Sequence, residues 1–131
     1  MATFLGINAE DEALIETAQE TLARCYRDEC HTVAAAVLCA SGKTYTGVNV
    51  ESCTYGPCAE AIAIGAAITA GEKRFLTIVA VNRSGVLSPC GNCRQLFLNY
   101  APDATVVIAI DGIVKKTLAR YLLPAPYSAF R

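Results

Sequence analysis

Residues 58–68 read Cys-Ala-Glu-Ala-Ile-Ala-Ile-Gly-Ala-Ala-Ile, an apolar run interrupted by one charge. Pro57 stands where a helix could begin and Gly71 where one could stop, the common asymmetry of helix ends. A helix that is apolar all round has no face to give to water and is buried. The rest of the chain must therefore surround it.

The surrounding elements are legible. An amphipathic helix is predicted over about residues 9–26. Asn8 suits its N-cap, and Glu10, Asp11 and Glu12 suit the positive end of its dipole. Leu14, Ala18, Leu22 and Cys25 form one stripe, with Arg24 and Arg27 at the far end. Residues 33–39 and 44–50 read as strands joined by a Ser41-Gly42 turn. If the second strand continues, Asn49 and Glu51 point to one face. Residues 75–81 read as a third strand. Ser88-Pro89-Cys90 opens a helix ending near Tyr100, and residues 104–110 form a fourth strand. Asp111-Gly112 turns the chain into a short fifth strand over 113–116, and residues 122–127 read as a turn and a tail. The order α-β-β-α-β-α-β-β implies a sheet covered on both faces. No repeat or linker divides the 131 residues, so one domain, 1–131, is expected.

Composition narrows the function. Hydrophobic residues make up 53% of the chain, enough for a real core. No apolar run approaches the ~20 residues of a membrane span, and no export signal is visible. Lys+Arg is 11 against Asp+Glu 12, so there is no basic excess to attract a phosphate backbone; long nucleic acid is not an expected partner, a local basic patch aside. Seven cysteines, an odd number without an export signal, point to reduced thiols in a cytoplasmic protein.

Three cysteines stand apart. Cys58 and Cys90 each follow a proline at a helix start, and Cys93 shares a helical face with Cys90. Helix N-termini favour thiolate over thiol, and thiolates are what zinc needs. Three protein ligands leave a fourth position for water, as in a catalytic rather than a closed zinc site. Glu60 lies two residues after Cys58 in an otherwise apolar helix. It reads either as an ordinary first-turn acid or as a proton shuttle beside that water. Two other readings stay open. Adding Cys53 would close a structural four-thiolate zinc module without catalysis, and Cys90-Gly91-Asn92-Cys93 alone would suit thiol exchange. Cys53 on its own reads as a small buried thiol, and Cys25, Cys30 and Cys39 as ordinary ones. His31, the only histidine, reads as a satisfied or surface residue.

Cys58-Ala59-Glu60 followed by Pro89-Cys90-Gly91-Asn92-Cys93 has the form of the zinc deaminase signature. The chain resembles the cytidine deaminase family. Thr46-Gly47-Val48-Asn49-Val50-Glu51, Ser88 to Gln95 and Leu122-Leu123-Pro124 resemble further family segments. The resemblance implies a three-layer α/β/α sandwich around a mixed five-stranded sheet. It implies one zinc ion per chain held by Cys58, Cys90 and Cys93, with Glu60 as the proton shuttle. Asn49 and Glu51 would contact ribose hydroxyls, and the backbone at Ala59 and Ser88 the base. Hydrolytic deamination of cytidine or 2′-deoxycytidine by a cytoplasmic homotetramer is the implied activity. Two departures matter. Ala61 stands where many members carry Arg, which leaves Arg94 and the helix ends to ease the thiolate charge. Glu29-Cys30-His31-Thr32-Val33-Ala34-Ala35-Ala36 replaces a segment containing the Phe that lines the nucleoside pocket; His31 is a candidate replacement. Gly56-Pro57-Cys58-Ala59-Glu60 and that altered segment resemble blasticidin S deaminases, so blasticidin S or another modified cytosine nucleoside is the alternative substrate. Tyr127 and Phe130 read as tail packing, while the resemblance would let one of them cover the base, including that of a neighbouring subunit.

Overall fold

A computed structural model describes residues 3–128. Phe130 lies outside them.

Helix α1 spans Ala9–Cys25. Asn8 caps it by accepting from the Asp11 backbone N–H at 2.9 Å, while the Asp11 carboxylate accepts from the Asn8 N–H at 3.0 Å. This reciprocal box satisfies two of the free donors of the first turn. Asp11 has a second role invisible in the local sequence. Its carboxylate also takes Lys116 Nζ at 2.7 Å, tying the helix start to a strand far along the chain.

Strands β1 (Ala34–Cys39) and β2 (Thr44–Val48) form the expected hairpin, with Gly42 at φ +89° in the turn. Helix α2 (Ala59–Thr69) follows, then β3 (Phe75–Asn82). A short strand, β4 (Gly85–Leu87), folds back antiparallel on the end of β3. No five-stranded reading includes it: three residues are too few for a pattern, and only pairing with β3 makes them a strand. Helix α3 spans Gly91–Tyr100, and β5 (Thr105–Ile110) and β6 (Ile113–Leu118) close the sheet through Asp111-Gly112, both at positive φ. A 3-10 turn, Ala119–Leu122, precedes the tail and begins before the turn expected from Leu122 onward.

The sheet order is β2-β1-β3-β5-β6, with β4 beside β3. The β3–β5 pair is parallel and the others antiparallel, so the sheet is mixed as expected, with six strands instead of five. Strand alternation sorts the core into two faces. Ala35, Val37, Ile78, Ala80, Val106 and Ile108 pack with α2 and α3. Ala34, Ala36, Val79, Val81 and Val107 pack with Leu14, Ala18 and Leu22 of α1. Three layers result.

Gly47 sets the spacing of one layer. A Cβ there would lie 2.6 Å from the Ala63 backbone nitrogen and 2.8 Å from Ile62 Cγ2. Only a glycine lets α2 approach β2 this closely, and α2 carries the candidate site.

Candidate active site

Cys58 is the N-cap of α2 and Cys90 the N-cap of α3, one position earlier than a first helical turn; Cys93 lies within the first turn of α3. Neither cap residue offers a side-chain hydrogen bond to its helix. An oxygen-bearing cap is worth about 1 kcal/mol to a helix, and both helices forgo it. Their free N–H groups and dipoles face sulfur instead. The structure thus brings together cysteines 32 residues apart in the chain, with Cys58 Sγ and Cys90 Sγ at 3.9 Å. All three sulfurs lie within 4.8 Å of one another.

The donor set fits zinc. Two sulfurs bound to one tetrahedral zinc at about 2.3 Å each stand about 3.8 Å apart. Cys53 is exposed and takes no part in the sulfur group, so the four-thiolate module has no fourth member. Without a cation, burial is the main force pushing the Cys58 and Cys93 thiols up. Burial also acts to raise the Cys90 thiol. The Cys93 backbone, the Cys93 and Cys58 thiols and the Asn92 backbone outweigh it, and Cys90 shifts down. Three crowded sulfurs that resist joint ionisation are what a divalent cation reverses.

Arg94 hydrogen-bonds main-chain carbonyls and not a sulfur. Its Nε donates to the Pro89 carbonyl at 2.8 Å and its Nη1 to the Leu122 carbonyl at 3.0 Å. The guanidinium staples the Cys90 approach to the C-terminal 3-10 turn.

Glu60 sits in the first turn of α2 and is 6% exposed. Burial pushes its carboxyl up, opposed by its own backbone N–H and by the Cys93 thiol. Among the described residues no ion pair neutralises it. A buried first-turn acid without a cation is costly as a mere dipole partner, and its raised affinity for protons suits proton transfer.

A cavity of about 320 Å³ opens beside these groups. Asn49, Glu51, Ala59 and Ser88 all line it, with Cys58, Glu60 and Cys90. Thr32, Val33 and Leu87 also line it, and sequence reasoning did not single them out. A larger hollow of about 610 Å³ between α1 and the β3–β4 turn contains Tyr26 and Arg83 but none of the cysteines or acids of the site, so size does not locate the chemistry.

Strand β2 ends at Val48, so Asn49 and Glu51 are not on a continuing strand. They reach the cavity through side-chain bonding. Asn49 Oδ1 accepts from the backbone N–H groups of Thr32 and Val33 at 2.8 and 2.9 Å, and its Nδ2 donates to Glu51 Oε2 at 2.9 Å. His31 Nδ1 donates to the Asn49 carbonyl at 2.8 Å. It is a satisfied histidine and does not line the cavity. Strand β4 delivers Ser88, whose hydroxyl donates to the Ala109 carbonyl at 3.0 Å. The exposed Tyr127 lies away from the cavity, its carbonyl accepting from Gln95 Nε2 at 3.1 Å.

Residues 8–109 match the family described as the cytidine and deoxycytidylate deaminase zinc-binding region. A blasticidin-S deaminase from Bacillus cereus is 41% identical over 98% of this chain and 99% of its own. A probable cytidine deaminase from Dictyostelium discoideum is 34% identical over 93% of this chain and 87% of its own. The crystal structure of a cytidine deaminase from Burkholderia pseudomallei superposes with a TM-score of 0.77 at 33% identity, covering 92% of this chain and all of that one.

Proposed function

The chain belongs to the cytidine and deoxycytidylate deaminase family, and we propose that it hydrolyses the 4-amino group of a small cytosine nucleoside, cytidine or 2′-deoxycytidine, to the uracil nucleoside and ammonia. It is a zinc-dependent enzyme of that family. The observation that carries the reading is the meeting of two uncapped helix starts, three sulfurs and one buried carboxyl at the wall of a nucleoside-sized cavity.

Cys58, Cys90 and Cys93 would hold the ion. Zinc bound there supplies the Lewis acidity that makes water nucleophilic at neutral pH. The remaining work falls to the chain. The Glu60 carboxylate takes a proton from the incoming water and gives it to ring N3. The water oxygen bonds to C4. Glu60, again a carboxylate, then takes the proton of the new C4 hydroxyl and hands it to the exocyclic nitrogen; the C4–N bond breaks, ammonia leaves and C4 becomes the uracil carbonyl. The main chain at Ala59 and Ser88 orients the base, and Asn49 and Glu51 take the sugar hydroxyls. The free N–H groups of α2 and α3 supply a fixed positive field for the charge that develops.

Blasticidin S is the second reading. It is favoured by the 41% identity to the Bacillus cereus blasticidin-S deaminase across nearly the whole of both chains. An ammonia-release screen over cytidine, 2′-deoxycytidine, cytosine, adenosine, guanine and blasticidin S tests both. Turnover of a cytosine nucleoside is expected, and turnover of adenosine or guanine alone would reject the assignment. A cytoplasmic homotetramer goes with this reading. Among the described residues no helix is long and apolar enough to cross a membrane.

A further inference from the structure

The backbone does not require glycine at position 56. The glycines at positive φ are Gly42, Gly71, Gly85 and Gly112. Space requires it. A Cβ on Gly56 would lie 2.5 Å from Glu51 Oε1 and 3.2 Å from its Cδ. One edge of the Glu51 carboxylate therefore rests on the bare main chain of residue 56, while its other oxygen accepts from Asn49 Nδ2 at 2.9 Å.

Both supports are themselves held. Asn49 is 7% exposed and anchored by the N–H groups of Thr32 and Val33. The loop carrying Gly56 is closed by the Val50 N–H donating to the Pro57 carbonyl at 3.1 Å. The Tyr55 N–H donates to Ser52 Oγ at 3.0 Å, and the Ser52 hydroxyl donates back to the Tyr55 carbonyl. Glu51 lines the cavity and Gly56 does not.

We infer that Gly56 is a positioning residue that sets sugar selectivity, its bare backbone seating the Glu51 carboxylate where a nucleoside hydroxyl meets it. This rests on the nucleoside-deaminase reading of the site. A side chain at 56 strikes the free end of a flexible side chain, so the fold absorbs it cheaply while the carboxylate swings out of its seat.

The test compares cytidine with 1-methylcytosine, which has the same ring without the sugar. Wild type, Gly56→Ala, Glu51→Gln and the double variant are assayed for kcat and KM. Uridine and 1-methyluracil binding at equilibrium gives the same comparison without turnover. Gly56→Ala should melt with the wild type and lose roughly ten- to hundredfold of the preference for the sugar-bearing compound, the worth of one hydrogen bond to a charged group. The loss should appear in KM for cytidine. In the Glu51→Gln background Gly56→Ala should cost nothing more, because it acts through that carboxylate. A retained preference in Gly56→Ala, or an equal cost in both backgrounds, overturns the inference alone. A wild type inactive on both cytosine compounds overturns the cytidine reading and this inference with it, while turnover of blasticidin S in the ammonia-release screen would keep the deaminase reading.

Discussion

A methyl group at Gly47 tests whether β2 truly places the catalytic helix. Ordinary contact begins at 3.4 Å, and the added Cβ would stand 2.6 Å from the Ala63 nitrogen, so α2 must retreat by about 3.4 − 2.6 = 0.8 Å. A side chain could rotate away, but a backbone nitrogen cannot. The retreat displaces Cys58 and Glu60, which head the same helix, relative to Cys90 and Cys93 on α3. A displacement near 1 Å at a reacting group costs about a hundredfold in rate. Overpacking of this kind costs roughly 1–3 kcal/mol, offset by about 0.4–1 kcal/mol from the reduced freedom of the unfolded chain. At about 3–5 °C per kcal/mol for a domain of this size, Tm should fall by several degrees. Calorimetry with and without a chelator, together with ammonia release from cytidine, measures both effects. A Gly47→Ala protein with wild-type melting and turnover would refute the argument that close approach to β2 positions the site.

Glu60→Gln should keep its zinc and lose about 10²–10⁴ in turnover. Metal analysis beside the rate decides, since near-normal deamination would remove Glu60 from the mechanism. Cys53→Ser should leave close to one zinc per chain, because Cys53 lies outside the sulfur group; loss of the ion would revive the four-thiolate site. Thr117 Oγ1 is buried without a hydrogen-bond partner. Thr117→Val should therefore raise stability by about 1 kcal/mol, and an unchanged or lower Tm in a melting curve would contradict this. Burial, then the negative charge of Glu72, pushes the Cys39 thiol up to about 11. The folded chain holds that proton where the unfolded chain has released it, so this stability is complete below the ordinary thiol pKa and is lost as pH climbs towards 11. Urea midpoints across that range should fall less steeply in Cys39→Ala than in wild type, and parallel curves would show that Cys39 contributes nothing.

Several features were legible because their causes are local. Asn8, the acids after it and the Leu14–Ala18–Leu22 part of the stripe mark α1 at helical spacing; Cys25, expected to continue that stripe, is exposed, and the structure adds the Asn8–Asp11 box and Asp11's pairing with Lys116. Asp111-Gly112 reads as a hairpin turn because two successive positive φ angles favour those residues. The proline before each of Cys58 and Cys90 marks a helix start, and the missing capping oxygen there signals that the position serves something other than the helix. Strand β4 was not legible. Asn49 and Glu51 do belong to one place, but through a hydrogen bond between their side chains and not through strand alternation. Arg94 hydrogen-bonds two carbonyls, one of them 28 residues away, a pairing that no local pattern announces.

The amino-acid order alone determined the chemistry on offer: helix starts headed by cysteine, a carboxyl two residues from one of them, and an apolar helix that must be buried. Each follows from interactions within a turn or two of chain, where spacing is fixed by backbone geometry. Burial in the fold then raises the Cys58 and Cys93 thiols and leaves only Cys90 of the three lowered. The tertiary structure decided which groups meet. The juxtaposition of Cys58 with Cys90, the 0.8 Å that Gly47 spares α2, and the seat beneath the Glu51 carboxylate are contacts between segments that only packing brings together. Two of the three depend on atoms a glycine lacks, and an absent side chain leaves no mark in sequence until its neighbour is known.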